Sequence, residues 1–345
     1  MAEPWYVVGL DNGGTANNAT VLSSAGEFLV SEMVEAPSRV KEGTAVALGV
    51  LLQSFEDALA LSGAPRAAVR AVGLDSPGPA SADGVMSGRG ATNFEHQSWY
   101  GFDLRGQLEE RLGLPVFYNN DGNAAALYAH RQHFGRGGPP RSSASAVVGT
   151  GLGGGLVLWD RVLKGATGTA GELGHVHIPM DGLLEADQPV PHCNCGFDGD
   201  AESVASLTGI EHNLLPYWLS KHPDHELASV PVSAAAALVR RYAEAGDPLA
   251  TRIFEQQAMA LGRMLTIVAN VIDADAYFIG GGVVEANPGF QDWFLRAVRD
   301  NTVLRDEAAA TVAFALVPDL DMAGARGSAL AAMDGVLDAA GAEAP

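Results

Sequence analysis

YVVGLDNGGTANNATVLSS, Tyr6 to Ser24, sets a β-rich run, a glycine-rich turn and a second β-rich run end to end. That order reads as a hairpin, not as strand to helix. SAVVGTGLGGGLVLWDRVLKG, Ser145 to Gly165, repeats the grammar, so the chain reads as two halves that each open with a hairpin. Within the second stretch GTGLGG, Gly149 to Gly154, matches the dinucleotide fingerprint G-x-G-x-x-G, with Glu172 following at about the 20-residue spacing. A dinucleotide site needs a helix directly after the glycines to receive the pyrophosphate, and LVLWDRVL is alternating and β-branched instead. A Rossmann site is therefore excluded. No G-x-x-x-x-G-K-[ST] occurs, which removes the P-loop class as well.

Around the hairpins the chain alternates as α/β proteins do. Apolar periodicity predicts a helix over 43–61, a strand at RAVGLD, a helix over 104–112, a strand at PVFYN and a helix over 121–134. GRGGPPRSS reads as a loop. Mostly helical sequence runs over 203–272, followed by a strand at AYFIGGG, a helix, a strand at TVAFALV and a last helix near 323–337. The expected division is an N-terminal α/β domain over 1–120, with a C-terminal helix 323–338 packing back on it, and a second α/β domain over 121–322.

With 41 acidic against 21 basic residues, the net charge of -20 repels phosphate backbones and anionic membranes. Neither nucleic acid nor membrane is expected as a partner. MAEPWYVVGL has no basic leader region, and no apolar segment reads as reaching the roughly 18 residues of a membrane span. The expected location is the cytoplasm.

A phosphate bound by so acidic a chain must be held locally. DNGGT (Asp11–Thr15) and GTGLGGG (Gly149–Gly155) let backbone amides approach phosphates without Cβ obstruction, although either alone reads equally as a tight hairpin. Asp11 favours phosphate, because a carboxylate at a strand end beside such amides is a natural Mg²⁺ ligand through water. NNDGNAAAL places Asp121 where a strand passes into a helix, either as an N-cap or as an anion steadied by the helix dipole. HCNCGFDGDAES, His192 to Ser203, holds the only two cysteines, one residue apart and poorly placed to bridge each other. Metal ligation, or nothing, is what remains for them.

DNGGT, LDSPGPA, NNDGNAAAL, GTGLGGG, GELGH, CNCGFDGDAES and FIGGGV follow the order seen in the ROK family of sugar kinases and repressors, and GARGSALAA near the end also fits. The chain resembles that family from residue 9 to beyond 283. The resemblance implies an actin-like ATPase (ribonuclease H-like) α/β fold of two domains about an interdomain cleft. It further implies ATP and Mg²⁺ as donor and cofactor, phosphorylation of a hexose hydroxyl, and a homodimer. By family position Asp121 is the catalytic base. Asn93, Asn120, Asp121, Glu172, His175 and Glu202 are then sugar ligands, and Asp11, Gly13, Gly14, Thr15, Thr150, Gly151, Gly153, Gly281 and Gly282 surround the nucleotide.

Three departures mark the chain. Ala16 follows Thr15 where the family often has lysine, Asn12 replaces an apolar residue, and Gly122 replaces an alanine beside the base. The first two leave inorganic polyphosphate as an alternative donor, though no basic track for a long polyanion is visible. The resemblance also implies a structural Zn²⁺ held by a histidine and three cysteines. Here His175, Cys193 and Cys195 match, Asp200 stands at the third cysteine position, and the gap from His175 to Cys193 is longer than the family norm. His177 and His192 are spare ligands.

Two functional classes compete. One is an ATP-dependent hexose kinase, with glucose to glucose 6-phosphate as the first candidate and other hexoses or N-acetylhexosamines behind it. The other is a non-catalytic sugar-sensing protein. Family repressors carry an N-terminal winged helix-turn-helix, whereas this sequence opens a few residues before its first phosphate turn, so repression is not expected. Asp11 and Asp121 favour the enzyme, since a sensor requires neither metal nor base.

Overall fold

The computed structural model describes residues 3–31, 35–78, 80–87 and 93–342. Pro79 of LDSPGPA and the start of the loop before Asn93 lie outside them. Ten strands are described here: β1 (Tyr6–Asn12), β2 (Ala16–Ser23), β3 (Ala36–Pro37), β4 (Val69–Ser76), β5 (Val116–Asn120), β6 (Ser143–Val148), β7 (Leu152–Leu158), β8 (Arg161–Val162), β9 (Ala276–Gly281) and β10 (Ala313–Leu316). The principal helices are α1 (Thr44–Ser62), α2 (Leu104–Leu112), α3 (Asp121–Phe134), α4 (Val232–Glu244), α5 (Pro248–Ile272), α6 (Pro288–Asp300) and α7 (Leu320–Ala342).

The chain forms two compact units. The first comprises Met1–Gly138, Arg161–Gly171 and Pro318–Pro345. Its sheet has the order β3-β2-β1-β4-β5, with β1 and β2 an antiparallel hairpin and β4 and β5 parallel to β1. One face packs against α1 and α2 through Leu10, Val21, Leu51, Phe55, Leu74 and Leu108. The other face receives α7, and the approach is backbone to backbone: a Cβ on Gly73 would stand 1.8 Å from the Ser328 carbonyl oxygen. The break expected at residue 120 does not fall there. Helix α3 packs on α7, some 200 residues further along the chain, and this tertiary contact keeps it in the first unit.

Helix α1 also corrects the sequence reading, because it is 19 residues long and apolar enough by composition to cross a membrane. Its Ala47, Leu48, Leu51, Phe55, Ala58 and Leu59 are instead buried in the core of this unit. The second unit, Pro139–Asp160 with Glu172–Val317, pairs four strands in the order β10-β9-β6-β7. Strands β6 and β7 form the second hairpin, and β9 and β10 run parallel to β6. Strand β7 directly follows the glycine turn, as the rejection of a dinucleotide helix requires. Helices α4, α5 and α6 share one hydrophobic core with the sheet, through Val239, Ile253, Leu261, Met264 and Phe294 on the helices and Tyr277 and Ile279 on β9.

Candidate active site

In the first unit the polar residues gather where β1, β4 and β5 end. Asn120, not Asp121, caps α3: its side chain accepts from the amides of Gly122 at 2.9 Å and Asn123 at 3.4 Å. Asparagine is among the best N-caps, and filling that position leaves Asp121 as the first helical residue. The N-cap alternative for Asp121 is thereby removed. Its Oδ1 accepts from the Gly122 amide at 2.7 Å, and burial holds its carboxyl above the usual range, with the amide bond acting the other way. An anion at this helix end stays ionised more readily than burial alone allows.

Asp11 lies near enough to feel the charge of Asp121, and burial raises it to about 6, against the opposing effect of a hydrogen bond with Asp75. Asp75 itself is fully buried and pushed well above the carboxylate range, first by desolvation and then by the charge of Asp11. Asp75 escaped the sequence reading. It is the next-to-last residue of β4, and its place emerges only from the register Asp11↔Asp75. The turn over Gly13, Gly14 and Thr15 follows β1, and the Thr15 carbonyl accepts from the Ser38 amide at 3.0 Å. Asn93, at φ 75°, lies against this turn: a Cβ on Gly14 would stand 2.5 Å from Asn93 Nδ2. Lys164, another residue without a sequence signal, lines a small cavity with Asn119, Asn120 and Asn123 and donates to the Tyr118 carbonyl. Burial depresses its ammonium pKa.

In the second unit the turn over Gly149–Gly151 joins β6 to β7. The Thr150 carbonyl accepts from the Thr208 hydroxyl at 2.7 Å, while Gly153 lies within β7. Gly281, at φ 100°, could not carry a side chain, since its Cβ would fall 1.8 Å from the Val148 carbonyl oxygen. Beside these turns opens a cavity of about 310 Å³, lined by Val148, Thr150, Ile210, Arg240, Gly282 and Phe294 among others. Arg240 is fixed at its edge by Glu285 at 2.8 Å and by the Gly282 carbonyl. A mostly apolar slot with a few polar groups at its rim suits a flat heterocycle.

The cysteine segment closes on His175 as a four-donor cluster. Ligand atoms of His175, Cys193, Cys195 and Asp200 all lie within 4.8 Å of one another. His175 Nδ1 is 3.2 Å from Asp200 Oδ2 and 3.9 Å from Cys193 Sγ, and Cys195 Sγ is 3.4 Å from the same Asp200 oxygen. Zinc bond lengths of about 2.0–2.3 Å imply tetrahedral edges of about 3.3–3.8 Å, so the donors stand near the spacing the ion demands. Asp200 is fully buried, with Oδ1 held by the Ser203 amide at 2.8 Å. Burial pushes its pKa up, but hydrogen bonds from His175 and Cys193 outweigh this and hold the carboxyl below its ordinary value. The spare histidines lie outside the cluster: His192 bonds Asp198 at 2.7 Å, and His177 packs edge-on to Phe197. The long gap before Cys193 is anchored on α5, where Gln256 donates to the Leu183 carbonyl and Arg263 to that of Asp181.

Glu202 ties this cluster to the second turn. Oε2 accepts from the Leu152 amide at 2.8 Å, and Oε1 is 3.4 Å from Cys193 Sγ. Gly151 permits the contact, since a Cβ there would stand 2.7 Å from Oε2. Glu172 is exposed at the start of the turn carrying His175, which is itself exposed.

The model of the ROK family matches residues 7–334. A glucokinase of Halalkalibacterium halodurans is 31% identical over 293 residues, covering 83% of this chain and 82% of its own length. An N-acetyl-D-glucosamine kinase of Salmonella dublin is 30% identical over 279 residues, covering 80% and 83%. Among solved structures, a ROK hexokinase from Thermus thermophilus superposes with a TM-score of 0.75 at 32% identity, over 96% of this chain and 99% of that one. A ROK glucokinase from Streptomyces griseus, in complex with glucose and AMPPNP, gives 0.70 at 26% identity over 95% and 99%. The two sheets are those of the actin-like ATPase fold, and the chain, matched over nearly all its length, belongs to the ROK family.

Proposed function

We propose that this protein is an ATP-dependent hexose kinase that converts glucose to glucose 6-phosphate. The observation that carries the reading is Asp121: a half-buried carboxylate at the first turn of α3, beside its N-cap and within the field of Asp11. The reaction needs a hydroxyl oxygen made nucleophilic at the moment it attacks the γ-phosphorus. Asp121 takes the hydroxyl proton as the new P–O bond forms and the bond to the β-phosphate oxygen breaks, leaving ADP. Asp11 is the residue to hold Mg²⁺, whose charge offsets that of the phosphates. The neighbouring Asp75 and Asp121 carboxyls add oxygen donors of the kind that hard cation prefers.

The amides around Gly13, Gly14, Thr15, Thr150, Gly151 and Gly153 are proposed to take phosphates, and the cavity bordered by Gly281 and Gly282 to take the nucleoside. An apolar slot has no use for inorganic polyphosphate, which favours the nucleotide donor. Sugar hydroxyls are assigned to Asn93, Asn120, Asp121, Glu172, His175 and Glu202. A purified-protein assay of ADP release over glucose, mannose, fructose and N-acetylglucosamine tests the specificity. Glucose is expected to give the highest kcat/KM, and a higher value for another sugar replaces it as the substrate.

We further propose a structural zinc on His175, Cys193, Cys195 and Asp200, which positions the His175 ring and, through Cys193, Glu202. Protein purified without chelator is expected to contain about one zinc per chain. Its removal is expected to raise the sugar KM and lower Tm together. Full activity with far less zinc than that contradicts the assignment.

A further inference from the structure

Strands β1, β4 and β5 run parallel and end level with one another. Their register pairs Asp11 with Asp75, and Asp75 with Asn119. Paired residues on neighbouring strands share a face, so three oxygen-bearing side chains stand in a row. That face is the one covered by α7. Gly324 lies against Asp11, where a Cβ would be 2.8 Å from Oδ2, and Ser328 Oγ donates to Asp75 Oδ2 at 2.7 Å. Two residues back on β5, Phe117 lies against Gly335 of the same helix.

Two oxygens in this row have no partner. Asp75 Oδ1 belongs to a fully buried residue, and Asn119 Oδ1 to one only 2% exposed. Among the described residues no lysine, arginine or histidine pairs with Asp11 or Asp75. A fully buried Asp75 beside the half-buried Asp11, both ionised and without a counter-charge, is strongly disfavoured. Either a proton shared between the two carboxyls or a cation from outside the chain supplies the missing positive charge. Carboxylate and amide oxygens alone, without nitrogen or sulfur, select a hard divalent cation.

We propose that Asp75 is a metal ligand, which with Asp11 and Asn119 Oδ1 binds one Mg²⁺ or Mn²⁺ directly to the protein before any nucleotide arrives. This rests on the assignment of Asp11 to magnesium. It differs from a single aspartate acting through water, because two protein carboxylates hold the ion without help from phosphates.

The test is a Mn²⁺ titration of nucleotide-free protein followed by electron paramagnetic resonance, with kinase activity measured on the same sample. Wild type is expected to bind one Mn²⁺ per chain, and Asp75→Asn, which retains the Ser328 contact, to bind at least tenfold more weakly with an unchanged circular dichroism spectrum. Asp75→Asn that binds Mn²⁺ as wild type does overturns the proposal. So does wild type that binds none without nucleotide, an arm that stands even if the variant fails to fold. An active kinase without that binding overturns this site and leaves the kinase reading intact. Binding without sugar phosphorylation has the opposite meaning: the site holds and the kinase reading fails.

Discussion

Asp121→Asn is expected to lower kcat by about 10²–10⁴-fold while sugar affinity stays within about tenfold. The amide keeps the shape and hydrogen bonding of the carboxylate, and the Gly122 amide that now meets Asp121 Oδ1 finds an oxygen in either residue. What it cannot do is accept the hydroxyl proton. The pH profile adds a second reading. Burial raises the Asp121 pKa, and only the ionised form is a base, so wild-type kcat should fall as pH drops through that raised value. The residual activity of the variant should lack this limb. A variant retaining more than about half of wild-type kcat contradicts the role of Asp121 as base.

Asp11→Asn is expected to cost at least about a hundredfold in kcat and to flatten the magnesium dependence, because one anionic ligand is lost where phosphate charge must be offset. The same change is expected to stabilise the magnesium-free protein at neutral pH. Burial lifts the Asp11 pKa from about 4 in the unfolded chain to about 6 in the folded one. The folded state therefore binds the proton more tightly. The contribution to stability is full below about pH 4 and is lost as pH rises through about 6. Asparagine carries no such titration. The Tm difference between variant and wild type, measured with a chelator of divalent cations, should grow as pH rises through 6. Equal magnesium titrations of the two proteins in the kinase assay contradict the metal assignment.

These effects trace to features of unequal legibility. The hairpins were readable because their signal is local: β-branched runs on both sides of a glycine turn have one economical fold. The ligand cluster of His175, Cys193, Cys195 and Asp200 was equally visible once the family motifs were matched. The strand-to-helix junction at Asp121 was legible, but not the residue capping the helix. The signal existed, since Asn120 precedes Asp-Gly-Asn and asparagine ranks with the best caps.

What could not be read depends on contacts distant in sequence. Asp75 looks like the last residue of an ordinary strand until register sets it between Asp11 and Asn119. Helix α3 reads in the sequence as the start of a second domain, and only α7 packing against it places it in the first unit. Helix α1 has the composition of a membrane span, and only the sheet beneath it accounts for that apolar length. Glu202 carries no mark in the sequence of its bond to the Leu152 amide, which links the cluster of His175, Cys193, Cys195 and Asp200 to the second glycine turn.

The central claim is phosphoryl transfer to a sugar hydroxyl. ³¹P nuclear magnetic resonance of the purified protein with ATP, Mg²⁺ and glucose tests it most directly. The account predicts a sugar-phosphate resonance that grows in step with ADP and is absent with Asp121→Asn. Glucose that binds without any sugar phosphate forming, or ATP that is consumed only to inorganic phosphate, would contradict it.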